Sequence, residues 1–157
     1  MDVRPFSEQE AAAYGYGWVA KIKASVDFTS ADTGTTKTIA IFPSSGNGPV
    51  GLSVTRCAFR LVTAFDSSTD TSINSLLLEV GDGSSTARYS AQKELAADGS
   101  NVTYWASTAA GLPFAYTAAD TVDAKFTVAG GASPTIAELD SGEVWIFFDA
   151  VDLSVLG

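Results

Sequence analysis

The sequence contains no histidine and a single cysteine, Cys57. Histidine is the commonest metal ligand and the commonest general base near neutral pH. Without it, a serine, threonine or cysteine nucleophile lacks its usual activating partner. One cysteine forms no internal disulfide, and inside an apolar run Cys57 reads as a small buried hydrophobe. Charge is also scarce, at 17% of residues against roughly 25% in an average soluble chain. Basic charge is scarcest: 9 Lys and Arg stand against 18 Asp and Glu, for a formal net charge of −9. Nucleic-acid binding needs a basic face to meet phosphates. The densest pair of bases, Lys21 and Lys23, is two residues on one edge of a strand, so no nucleic-acid partner is expected. No apolar run approaches the roughly 20 residues of a membrane helix, and the first residues are polar and acidic, unlike a signal peptide. The expectation is a soluble protein made in a reducing cytoplasm, with no membrane partner.

What is present is apolar. Of the 157 residues, 46% are hydrophobic, enough for one sizeable core without staples. An apolar surplus beyond one small core has to meet a partner. The acidity serves solubility first and a basic partner surface second. No internal repeat and no second domain stand out.

Residues 1–17 differ from the rest. Ser7 with Glu10 three positions on is a capping box that starts a short helix. Tyr14, Gly15, Tyr16 and Gly17 then break it. The segment reads as an arm, part helical or extended, whose aromatics Phe6, Tyr14 and Tyr16 need a packing site; the bland alternative is a frayed terminus. From residue 18 onward the period is two. Over residues 18–28, Trp18, Ala20, Ile22, Ala24, Val26 and Phe28 share one face, and Lys21, Lys23, Ser25 and Asp27 the other. A turn at 31–34 leads to a strand over 36–42, stopped by Pro43 and a loop over 44–49. The next strand, 50–65, changes parity: Val50, Leu52 and Val54 share one, Cys57, Phe59, Leu61 and Phe65 the other. Either a β-bulge near Thr55 and Arg56 or a bend from one sheet to another reconciles them.

After a polar turn at 66–71, residues 73–80 form a strand with Leu76, Leu78 and Val80 inward, ended by Gly81, Asp82 and Gly83. Residues 86–100 fit a short helix or a strand pair. Residues 102–105 are a weak strand, and a turn at 111–113 leads into Phe114 and Tyr116. Residues 121–128 alternate cleanly, with Val122, Ala124, Phe126 and Val128 inward and Asp123, Lys125 and Thr127 outward. Turn signals at Gly130, Gly131 and Pro134 precede the last strand, 143–153. There Val144, Ile146, Phe148 and Ala150 share the core face, while Trp145 and Phe147 occupy the other, which implies that the second face is also covered. Seven or eight strands with no long helix predict an all-β, single-domain β-sandwich over residues 18–157, jelly-roll-like, with an N-terminal arm over residues 1–17.

Candidate chemistry is thin. Lys or Asp would have to activate any Ser or Thr nucleophile, and paired carboxylates suit glycosidase chemistry but are not paired by the sequence. Oxygen ligands on the 66–70 and 81–83 loops resemble those of calcium sites, yet lack EF-hand spacing, and Asp, Ser and Gly also make turns. Residues 81–85 lack the lysine of a phosphate loop. Asn101 and Thr103 fit a glycosylation pattern that is frequent by chance. No catalytic residue, metal or cofactor is expected.

Four stretches carry a resemblance: LEVGDG at 78–83 with Arg88 and Tyr89, AYTAADTVDA at 115–124, DSGEVWI at 140–146, and Val151, Asp152 and Leu153. Together they resemble small head proteins of tailed bacteriophages, the decoration or cement proteins of the outer capsid surface. The resemblance spans residues 35–153 and leaves the arm outside. It implies a jelly-roll-like fold, small oligomers (a homotrimer first), attachment to the major capsid protein, a virion location and no active site. On this reading Phe6, Tyr14, Tyr16, Trp145 and Phe147 are the candidate oligomer or capsid interface. A second expectation is a carbohydrate- or receptor-binding module of a fibre or tail, with Trp18, Trp105 or Trp145 stacking on sugars.

Overall fold

The computed structural model describes residues 1–42, 52–68, 73–95, 105–106, 113–118, 120–130 and 133–152. Ten strands lie in chain order: β1 (Asp2–Pro5), β2 (Trp18–Lys23), β3 (Thr36–Phe42), β4 (Leu52–Asp66), β5 (Ile73–Asp82), β6 (Ser90–Glu94), β7 (Trp105–Ala106), β8 (Phe114–Ala115), β9 (Val122–Gly130) and β10 (Ser141–Asp152). Helix α1 (Glu8–Tyr14) lies in the arm, a single helical turn α2 (Ala24–Asp27) follows β2, and a 3-10 turn covers Ile136–Glu138.

The strands form two antiparallel sheets packed as a β-sandwich. Sheet A has the order β1-β2-β10-β4-β7, with β8 also on β4; sheet B has the order β3-β9-β5-β6. Between them lies one core. Ala20 and Ile22 from β2, Val54, Cys57 and Phe59 from β4, and Val144, Ile146 and Phe148 from β10 meet Leu76, Leu78 and Val80 from β5 and Val122, Ala124 and Phe126 from β9. Each buried Phe or Leu of this kind is worth about 1.5–3 kcal/mol. Aromatic pairs tie the sheets: Phe126 meets Phe28 edge-on at 5.2 Å, and Phe42 of sheet B bridges Trp18 at 5.5 Å and Phe148 at 6.0 Å. Burial pushes the Cys57 thiol pKa well above its usual value, in keeping with a small hydrophobe.

The parity change in β4 is a bulge. Asp149 faces Arg56 and Ala150 faces Val54, so Thr55 is the extra residue. This keeps Val54 and Cys57 both on the core side. A second irregularity passes over Val62, between the Glu143–Thr63 and Val144–Leu61 pairs.

Several details depart from the alternation. The first long strand stops at Lys23, and α2 replaces its predicted end; Val26 is 64% exposed, not in the core. The Lys23 N–H donates to the Asp27 carboxylate at 2.8 Å, which closes the turn. Asp123, expected to face water on β9, is buried. It sits across from Gly81, over which the Ser85 and Thr86 backbone curls so closely that a Cβ at Gly81 would strike it. Residues 90–94 form a strand, not a helix, and pair with β5. The expected loop at 44–49, Val50, the 69–71 end of the polar turn, Asn101 to Thr103 and Leu153 lie outside the described residues.

Candidate interaction surface

Strand β10 is central in sheet A, and its two faces meet different neighbours. On the side away from the core, cross-strand register builds rows over β2, β10 and β4. Lys23, Glu143 and Thr63 form the first row; Lys21, Trp145 and Arg60 the second; Val19, Phe147 and Ala58 the third. Asp149 and Arg56 form a fourth. β1 extends the second and third rows, with Asp2 opposite Lys21 and Arg4 opposite Val19.

The third row is covered by the chain's own arm. The Phe6 ring lies 5.9 Å from that of Phe147, and the Tyr16 ring 5.8 Å from it. Phe147 is 1% exposed as a result, while Val19 and Ala58 are fully buried in the same small cluster. The arm is braced internally. Ser7 caps α1 and shares a capping box with Glu10. The guanidinium of Arg4, on β1, reaches both oxygens of Glu10, on α1, at 2.8 and 2.6 Å. This forked pair, helped by the Ser7 N–H, holds the Glu10 pKa down at about 2. Where the arm joins β2, Arg56 and Asp149 grip the chain. Asp149 accepts from the Gly17 N–H at 2.8 Å and from Arg56 Nε at 2.6 Å. Arg56 also donates to the Gly15 carbonyl and lies 4.6 Å from the centre of the Tyr16 ring.

The second row is the open part of the face. Trp145 is half-buried, with Lys21 Nζ 4.1 Å and the Arg60 guanidinium 5.8 Å from its ring centre. Its indole N–H donates to Glu143 at 2.5 Å, and Glu143 also pairs with Lys23 at 3.2 Å. Lys21, Lys23, Glu143 and Trp145 line a groove of about 490 Å³ together with Met1, Asp2, Val26 and Asp27. Five of the chain's nine bases, Arg4, Lys21, Lys23, Arg56 and Arg60, therefore lie on this one face of an acidic protein.

Of the residues singled out from the sequence, Phe6, Tyr16, Trp145 and Phe147 come together here. Tyr14 ends α1, and its side chain lies outside the described set. Trp145 and Phe147 do not make a patch of two bare aromatics, because the arm of the same chain covers Phe147. Trp18 packs edge-on against Phe42 beside the core, and the Trp105 side chain is not described. Periodicity places Lys21 on the outer face of its strand, but that Lys21 and Arg60 frame Trp145 becomes visible only once β2, β10 and β4 are set in register.

Of the loop acids, Asp82 is an internal fastener, as is its neighbour Asp120, while Asp70 lies outside the described residues. Asp82 is fully buried; its Oδ1 accepts from the Ser84 and Ser85 N–H groups at 3.0 and 2.7 Å, and its Oδ2 pairs with Arg88. Tyr116 also donates to Asp82 at 3.2 Å and meets the Tyr89 hydroxyl, and burial raises the pKa of both phenols. Arg88 stacks 3.9 Å over the Phe114 ring. Asp120 takes the Gly83 and Thr121 N–H groups at 3.0 and 2.8 Å. Among the described residues, no group of three or more His, Cys, Asp or Glu is arranged to hold a metal. Comparison with protein-family models, curated proteins and solved structures finds no match for this chain.

Proposed function

We propose that the chain is a non-enzymatic structural protein of a tailed-phage virion, which decorates the outside of the head by binding the major capsid protein. The observation that carries the reading is the second row on sheet A. Lys21, Trp145 and Arg60 lie side by side on a strand platform, beside a groove, with Trp145 half-buried and Arg60 exposed. An aromatic residue flanked by cations is the composition of interface hot spots. A locally basic strip on a protein of net charge −9 favours one docking face over the rest of the surface. The partner facing this strip is then a protein surface rich in carboxylates. The narrower jelly-roll reading is supported by the order of the strands. Strands β2, β10, β4 and the β7/β8 segment occupy one sheet and β3, β9, β5 and β6 the other, so the chain crosses between sheets at most steps.

The carbohydrate-binding alternative has less support, because it needs an open aromatic face and Lys21 sits over the ring of Trp145. The test is sedimentation of the purified chain with capsids assembled without it, with free capsid subunits, and with a glycan array in parallel. Saturable binding to capsids, weakened at least tenfold by Trp145→Ala with Lys21→Ala and Arg60→Ala, is the expected result. Glycan binding without capsid binding overturns the reading, and so does capsid binding indifferent to those three residues.

A further inference from the structure

The arm leaves the sandwich through Gly15, Tyr16 and Gly17. Tyr16 and Gly17 are fixed to the body: the Tyr16 ring packs on Phe147, and the Gly17 N–H is held by Asp149. Gly15 is different. It adopts φ 73°, a left-handed conformation that glycine takes without cost, and it closes α1 by donating its N–H to the Ala11 carbonyl at 2.7 Å. Residues 1–14 on its far side form one braced piece, because the Arg4–Glu10 pair locks β1 to α1. The arm is thus a braced unit joined to the body through Gly15, and its bond from Phe6 to the Gly17 carbonyl at 2.8 Å is one that a second chain's Gly17 could equally accept. Its seat consists of the β2 edge, Val19, Ala58 and Phe147, all on the body of the chain.

We infer that the arm exchanges between copies: residues 1–14 of one chain dock on sheet A of a second chain, with β1 pairing the second chain's β2 and Phe6 covering its Phe147. The occupant is a second copy because the seat already fits this sequence at every point of the register from Asp2–Lys21 to Pro5–Trp18. Exchange of an identical element creates no new interface chemistry, and a short hinge favours it. The closed and exchanged forms make the same contacts, so concentration decides between them. A short linker holds its own arm at an effective concentration on the order of millimolar. The closed chain therefore dominates in dilute solution, and exchange competes where copies are crowded side by side. This inference needs only two copies of the chain and stands apart from the capsid reading.

Two single-cysteine variants test it. Asp2 and Lys21 are Cα partners on the outer face, and the native Cys57 is buried with its thiol pKa raised, so it does not compete. Asp2→Cys and Lys21→Cys chains are mixed at roughly millimolar concentration, oxidised gently and run on a non-reducing gel. A heterodimer joined through positions 2 and 21 arises only in trans. It is expected at least tenfold above the product of Asp2→Cys with Thr38→Cys, an exposed position on sheet B that reports random collision. Gly15→Pro, which forbids the left-handed turn, is expected to raise the yield further. The double variant Asp2→Cys/Lys21→Cys at micromolar concentration calibrates closure within one chain. Heterodimer no more abundant than the collision control, with both the native and the Gly15→Pro hinge, overturns the inference.

Discussion

Phe147→Ala tests whether the arm is an integral cover of sheet A. Phe147 is 1% exposed, with ring neighbours Phe6 at 5.9 Å, Tyr16 at 5.8 Å and Trp145 at 6.4 Å. Removing a buried Phe side chain costs about 3–5 kcal/mol, depending on how far the site collapses. Here one wall of the site is a hinged arm, which settles into the space more readily than a strand does, so the expected loss is about 3 kcal/mol. For a chain of this size, about 2–4 °C per kcal/mol converts that into a fall in melting temperature of about 6–12 °C. A double-mutant cycle with Phe6→Ala isolates the arm's share. The two rings are expected to be coupled by about 0.5–1.5 kcal/mol, and amide exchange at Val3 and Arg4 is expected to accelerate in either single variant. Urea unfolding, light scattering and hydrogen exchange on the same samples read all three. A loss within about 0.5 kcal/mol with a fall in particle mass refutes the reasoning. Phe147 would then be facing a second subunit instead of its own arm.

Phe126→Ala should cost about 3–5 kcal/mol by urea unfolding, since Phe126 is fully buried between Phe28 and Phe65. Lys125→Ala, one position along β9, removes a partly exposed pair with Glu79 at 3.4 Å and should cost under about 1 kcal/mol; equal effects would mean the strand register is wrong. Arg88→Ala leaves the fully buried Asp82 carboxylate without its cation and should cost about 3–5 kcal/mol at neutral pH; Arg88→Ala/Asp82→Asn should recover part of this, and a neutral single variant refutes the assignment. The folded-state pKa of Glu10, about 2, lies below the ordinary 4.5, so its contribution to arm docking is present above pH 4.5 and is lost as pH falls towards 2. Exchange at the β1 amides should therefore rise over that window in the native chain and be flat in Glu10→Gln; the same profile in both would show that another group governs it.

The parts of the fold that were legible in the sequence are those where one periodicity has one explanation. In β9, Val122, Ala124, Phe126 and Val128 alternate with polar neighbours, and all four are buried. The Thr55 bulge was legible as one of two devices, the other a bend between sheets, that place Val54 and Cys57 on one face. The end of β2 was not legible, because Ala24 and Phe28 are four apart. That spacing puts two residues on one side of a strand and equally on one side of a helical turn, so both stay buried while Val26 between them does not. Asp123 was misplaced because its burial comes from the turn after Gly81, roughly forty positions earlier in the chain, and no local pattern carries that. At the candidate site, the two apolar faces of β10 announced a cover over Phe147. That the cover is Phe6 and Tyr16 depends on an antiparallel pairing of β1 with β2 that a four-residue strand does not advertise.

The central place of β10 in sheet A connects the two halves of the outer face. Phe147 and Trp145 are two residues apart on one strand, so they point the same way and their rings meet edge-on. The first is sealed by the arm and contributes to stability; the second is half-buried. Arg56 and Asp149, in the next row, fix the hinge of the arm to the same strand. A partner that presses on Trp145, Lys21 and Arg60 therefore acts on a strand whose neighbouring residues hold the arm down. Lys21 itself lies opposite Asp2 on β1. Asp2 lies 3.8 Å from Arg4 of its own strand, while the Lys21 ammonium lies over the Trp145 ring. A partner that steadies β10 therefore favours the seated arm, and by linkage a seated arm favours that partner by the same factor.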